Sequence, residues 1–97
     1  MRYEIVLAAQ AVEDFRQLPA RDRSTIRDAL ERRLRYEPGK ETRSSIKRLR
    51  GIIRPQHRLR VGDFRVFYDV VEGAVEILAI VPKAQADDWL KDIGGQR

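Results

Sequence analysis

Ninety-seven residues, 42 % hydrophobic and 36 % charged, suffice for one small core and exclude a second domain. No cysteine is present, which excludes disulfides and thiolate metal sites, and no apolar run approaches the length of a membrane span. The net charge of +5 is unevenly placed, with eight bases against one acid in residues 43–65 and 12 bases against 14 acids elsewhere.

Tyr3, Ile5 and Leu7 alternate with Glu4 and Val6, which predicts a first strand. Glu4 also interrupts an apolar run already too short for a secretory signal, so the chain is expected in the cytoplasm. From Ala8 the period changes, and Ala8, Ala11, Val12, Phe15 and Leu18 fall on one face of a helix that Pro19 ends. Ile26, Ala29, Leu30 and Leu34 line a second helix, stopped by Pro38-Gly39, and the two helices are expected to form a hairpin. After a polar loop from Thr42 to Ser45, Ile46 to Leu49 reads as a short strand or a lead-in, and Arg50-Gly51 as a turn. His57 to Val61, Phe64 to Val71 and Val75 to Val81 then alternate as three strands, joined by tight turns at Gly62-Asp63 and Glu72-Gly73. Pro82 closes the last strand, Ala84 to Ile93 predicts a short helix, and Gly94-Gly95-Gln96-Arg97 is expected to fray. The expectation is one α+β domain over residues 1–97, β-α-α-β-β-β with a short C-terminal helix. Its helix hairpin packs on one face of an antiparallel sheet and the other face stays open.

A basic segment on a slightly acidic body is the footprint of a docking surface for a polyanion, here read as RNA. Alternation puts Leu59 on one face of its strand and Arg58 and Arg60 on the other, and Arg65 joins them across the Gly62-Asp63 turn. Three guanidiniums on an open face make a phosphate clamp, because each offers forked donors matched to phosphate oxygens. The alternative is that these arginines pair with carboxylates of neighbouring strands. Lys47, Arg48, Arg50 and Arg54 extend the charge as an RNA-binding approach surface. His57, the only histidine, falls on the face opposite Arg58 and Arg60, which assigns it to the core or an edge. With one histidine, no cysteine and no spaced carboxylate pair, neither a metal site nor a cofactor is expected. Trp89 reads either as an anchor of the terminal helix or as a platform for a base.

The runs Lys47-Arg48-Leu49-Arg50-Gly51 and His57-Arg58-Leu59-Arg60-Val61-Gly62-Asp63-Phe64-Arg65-Val66-Phe67-Tyr68 resemble the signature of the RelE/ParE toxin superfamily. The preceding helices and the strand Val75 to Val81 fit as well, so the resemblance spans nearly the whole chain. Its RelE branch implies the toxin of a type II toxin–antitoxin pair: an endoribonuclease that cuts mRNA in the ribosomal A site. The resemblance also implies silencing by a cognate antitoxin, which alone contacts operator DNA. Catalytic roles are thereby implied for Arg58, Arg60 and Arg65. Lys83 stands where the family carries an arginine after the last strand, and Trp89 where it carries a tyrosine on the terminal helix. The ParE branch implies instead a gyrase poison acting by protein–protein binding, and a degenerate member would keep the fold without catalysis.

Overall fold

The computed structural model describes residues 1–94. The elements in chain order are β1 (Glu4–Leu7), α1 (Ala9–Arg16), α2 (Ala20–Leu34), β2 (Ile46–Arg48), β3 (His57–Val61), β4 (Phe64–Val71), β5 (Ala74–Pro82) and α3 (Lys83–Gly94). The expected fraying beyond Gly94 falls outside the described residues. The α+β class and the element types follow the periodicity, with differences at three places.

The first difference is the sheet. Its strand order is β1-β5-β4-β3-β2, and the segment read as a strand or lead-in is a true edge strand paired with β3. The pairs β2–β3, β3–β4 and β4–β5 are antiparallel, but β1 runs parallel to β5, so the sheet is mixed rather than antiparallel. Connectivity is the reason. The chain leaves β1 through two helices, enters the far edge as β2, and meanders back until β5 lies beside β1.

The second difference concerns helix ends. Pro19, at φ −57°, is the N-cap of α2 as well as the residue that stops α1 from continuing. The helix α2 ends at Leu34, before Pro38, which disfavours helical geometry at the residue ahead of it. Pro38 is itself buried, and its carbonyl accepts the Tyr68 hydroxyl at 2.6 Å.

The third difference is the face expected to be open. On one face, α1 and α2 bury Ala11, Ile26, Ala29, Leu30 and Leu34 against Leu59, Val66, Tyr68, Val75 and Ile77. On the other, α3 lays Ala86, Trp89 and Leu90 on Phe67, Ala79 and Val81, with Leu49 beside them. Both faces of β4 are therefore covered, and five consecutive residues, Arg65 to Asp69, are buried. Phe67 and Tyr68 anchor the two cores from opposite faces, each fully buried and each contributing about 1.5–3 kcal/mol of apolar burial. What remains uncovered is the β2–β3 side of the α3 face.

Two local features tune this layout. The register of β4 against β5 shifts at Phe67/Tyr68, so that Phe67 faces Ala79 whereas Tyr68 faces Ile77. That irregularity puts Asp69 and Glu76 opposite each other. At the β3–β4 turn, Gly62 has φ +54°, a conformation that a two-residue hairpin loop requires and that side chains resist.

Candidate nucleic-acid interface

Strand alternation and register assemble the basic residues. Lys47 of β2 is the cross-strand partner of Arg58 on β3, and Arg60 is the partner of Arg65 on β4. Two consecutive like-charged pairs thus stand side by side, Lys47, Arg58 and Arg60 on the part of the face that α3 leaves uncovered and Arg65 buried at its margin. Side chains in such positions lie about 4.5–5.5 Å apart at Cβ, and like charges there destabilise the sheet. Among the described residues, none of the four forms an ion pair with a carboxylate. The alternative of strand arginines neutralised by their neighbours does not hold for this cluster. A bound polyanion would relieve the repulsion.

The three arginines differ in setting. Arg60 is exposed and Arg58 is half-buried, with its Nε–H enclosed and lacking a hydrogen-bond partner. Arg65 is only 7 % exposed. Its Nη1 donates to the carbonyls of Gly62 at 3.0 Å and Phe64 at 2.9 Å, which ties the guanidinium to the hairpin turn. Burial, reinforced by Arg58 and then Arg60, lowers its pKa from the ordinary guanidinium value, and Asp63 opposes this weakly. The strand register thus brings Arg58, Arg60 and Arg65 onto one face of the sheet.

The remaining candidates separate. Lys83 opens α3, and its N–H donates to the Asp63 carbonyl at 2.7 Å, so the start of that helix is fastened to the turn beneath Arg60 and Arg65. Its side chain is exposed. Trp89 stacks on Phe67 with ring centroids 4.8 Å apart and planes inclined by 16°, so one face of the indole is committed to packing. Lys47 is exposed on the clamp face, whereas Arg48, the partner of His57, is directed to the opposite one by alternation. Arg50 lies in the exposed loop after β2.

Arg54 is engaged elsewhere. Its Nε donates to Asp69 at 2.7 Å and its Nη2 to Glu76 at 2.7 Å. These contacts hold its pKa above the ordinary value, chiefly through the hydrogen bond to Asp69. The same Asp69 accepts the Gln56 N–H at 2.7 Å, while Gln56 Oε1 accepts the Val70 N–H at 2.9 Å. Arg54 therefore closes a structural network over β4 and β5, and its charge is largely offset. Sequence spacing holds no sign of this, because the partners lie 15 and 22 residues away and meet only through the strand register.

His57 sits in the core as alternation requires, 4 % exposed and stacked on Tyr68 at 5.2 Å. Burial, then the charge of Arg48, lowers its pKa from 6.5, against weaker opposing pulls from Asp69 and Glu41. The unfolded chain therefore takes up a proton that the folded chain resists, so stability falls as pH drops through 6.5 towards the lower folded value. Thermal unfolding at pH 7.5 and 5.5 is expected to show this loss, and His57→Phe should reduce it.

Neither a protein-family model nor a curated protein matches the chain. Solved structures do. The archaeal RelE of a RelE–RelB complex from Pyrococcus horikoshii OT3 is 28 % identical, covering 88 % of this chain and 99 % of that one at a TM-score of 0.64. A chain of the RelBE2 toxin–antitoxin complex from Mycobacterium tuberculosis is 24 % identical over 84 % of this chain and 99 % of that one, with a TM-score of 0.65. A mutant of the E. coli toxin RelE in the free state is 22 % identical over 100 % of this chain and 98 % of that one, with a TM-score of 0.69. With the mixed five-stranded sheet, the helix layers on its two faces and these likenesses in hand, the chain has the fold of the RelE-like toxins.

Proposed function

We propose that this chain is the toxin of a type II toxin–antitoxin pair and acts in the cytoplasm as a ribosome-dependent, metal-independent mRNA endoribonuclease. The observation that carries the reading is the double row of unneutralised cations, Lys47, Arg58 and Arg60 on the uncovered part of the sheet face with the buried Arg65 beside them. The Pyrococcus RelE, in complex with RelB, supports a cognate antitoxin as partner.

In this reading the 2′-oxygen of a ribose attacks the adjacent phosphorus as the bond to the 5′-oxygen breaks, leaving a cyclic phosphate and a 5′-hydroxyl. Arg58, Arg60 and Arg65 donate to the phosphoryl oxygens, where negative charge gathers, and Arg65, held on the turn carbonyls, needs little reorganisation. Lys83, fastened beside the turn, donates a proton to the departing 5′-oxygen. Among the described residues no histidine stands on the clamp face to take the 2′-OH proton, because His57 is buried on the other side. In this reading the proton passes to a base outside the clamp face, in keeping with an activity that depends on the ribosome presenting the mRNA.

One observation favours a second reading, a ParE-like gyrase poison. Trp89 lacks a hydroxyl and is committed to Phe67, so the terminal helix offers no acid–base aromatic. Induced expression distinguishes the two. The nuclease reading predicts growth arrest with mRNA 5′ ends inside translated codons, whereas double-strand DNA breaks with intact mRNA would establish the gyrase reading instead.

A further inference from the structure

Beside the clamp, a polar pocket of about 120 Å³ opens between the loop Thr42 to Ser45 and strands β2 and β3. Arg43, Lys47, Arg58 and Arg60 line it, against one acid, Glu41. That carboxylate is already engaged, since Glu41 Oε1 accepts the Arg48 N–H at 2.8 Å. The loop is closed on itself: Thr42 Oγ1 accepts the N–H groups of Ser45 at 2.9 Å and Ile46 at 3.0 Å. It is also stitched to β3, where Arg60 donates its N–H to the Ser45 carbonyl at 2.8 Å. A rigid rim thus holds four cations around a cavity the size of a small anion.

We infer that this pocket is a second phosphate subsite, which binds a neighbouring phosphodiester of the same RNA strand whose reacting phosphate lies at Arg60 and Arg65. The inference rests on the RNA reading of the clamp and deepens it. Geometry separates the two subsites. Lys47 on β2 and Arg65 on β4 are two strands apart, roughly 9.6 Å at a strand spacing of about 4.8 Å, so they reach different phosphates. Arg58 and Arg60, on the strand between, face both. The enclosed Nε–H of Arg58 has no partner among the described residues, so the guanidinium keeps donor capacity that the protein does not use. Arg43 thereby gains a role that its position in a polar loop does not suggest, and the RNA strand would run across β4, β3 and β2 towards that loop.

The test uses the double variant Arg43→Gln/Lys47→Gln. Both side chains are exposed, and unfolding temperature should change little. A 2′-O-methylated RNA pentanucleotide, which resists cleavage, is titrated at several salt concentrations. For single strands each phosphate contact contributes about −0.7 to the slope of log affinity against log salt. The double variant is expected to lose about one such increment and to bind more weakly at low salt. Inorganic phosphate should shift the backbone amide signals of Thr42 to Ser45 in the parent protein and not in the variant. If Arg65→Gln weakens the pentanucleotide while the double variant leaves affinity and slope unchanged, the subsite is disproved and the clamp stands. If the parent protein does not bind the pentanucleotide at all, both the subsite and the RNA reading fall.

Discussion

Replacing Arg65 with alanine is expected to lower RNA cleavage by about 10²–10³-fold, the range found when one fixed donor to a developing oxyanion is removed. The expectation follows from setting rather than from charge alone. Arg60 and Arg65 face each other across two strands, but only Arg65 is fixed, with Nη1 on the carbonyls of Gly62 and Phe64. A guanidinium held in this way spends little entropy when phosphate arrives. Arg65→Lys should recover only part of the loss, because an ammonium cannot keep the two carbonyl contacts and offer a fork to phosphate. Stability should change little, since removing Arg65 also relieves repulsion by Arg58 and Arg60. Cleavage measured on ribosomes programmed with a defined mRNA, with the unfolding temperature determined alongside, checks both statements. A fall in cleavage that merely tracks unfolding would make Arg65 a structural residue.

The largest stability effect outside the apolar core is expected at Asp69. Its side chain is 8 % exposed and accepts both the Arg54 Nε–H and the Gln56 N–H. Asp69→Ala leaves a part-buried amide without an acceptor and Arg54 with Glu76 alone. The expected cost is about 2 kcal/mol, kept modest because Arg54 is more than half exposed. For a domain of this size that lowers the unfolding temperature by roughly 8–16 °C. Arg54→Ala should cost less, and it should leave the salt dependence of RNA binding nearly unchanged, because its charge is already offset by Asp69 and Glu76. A large loss of salt dependence would return Arg54 to the RNA surface. Thermal unfolding and salt-dependent binding of the two variants decide the matter.

How far the sequence could be read depended on the range of the signal. Period-two alternation over 57–81 placed the three central strands, and the same alternation separated His57 from Arg58 and Arg60, because all of these are properties of neighbouring residues. The parallel pairing of β1 with β5 was not legible, since Ile5 and Val75 meet only after the whole chain has turned back. Which face α3 covers is left open by the sequence for a related reason. Ala86, Trp89 and Leu90 show an apolar stripe, but no local pattern says which face of the sheet receives it. The Arg54–Asp69–Glu76 network depends on the register shift at Phe67/Tyr68, which no spacing announces. Charge was the feature most open to misreading. A count of bases in residues 43–65 gives equal weight to Arg54, which is paired, Arg48, which faces away, and Arg58, which shares a face with Lys47, Arg60 and Arg65.

In the proposed function the cations on β2, β3 and β4 hold the phosphate of an mRNA presented by the ribosome. This is tested most directly by adding the purified protein to one mRNA, free and in a ribosomal complex with an empty A site, and mapping the new 5′ ends. Cuts are expected within the A-site codon, with 5′-hydroxyl termini, only in the complex and largely absent with Arg65→Ala. Intact mRNA in the complex, or cuts unaffected by Arg65→Ala, would contradict the proposal.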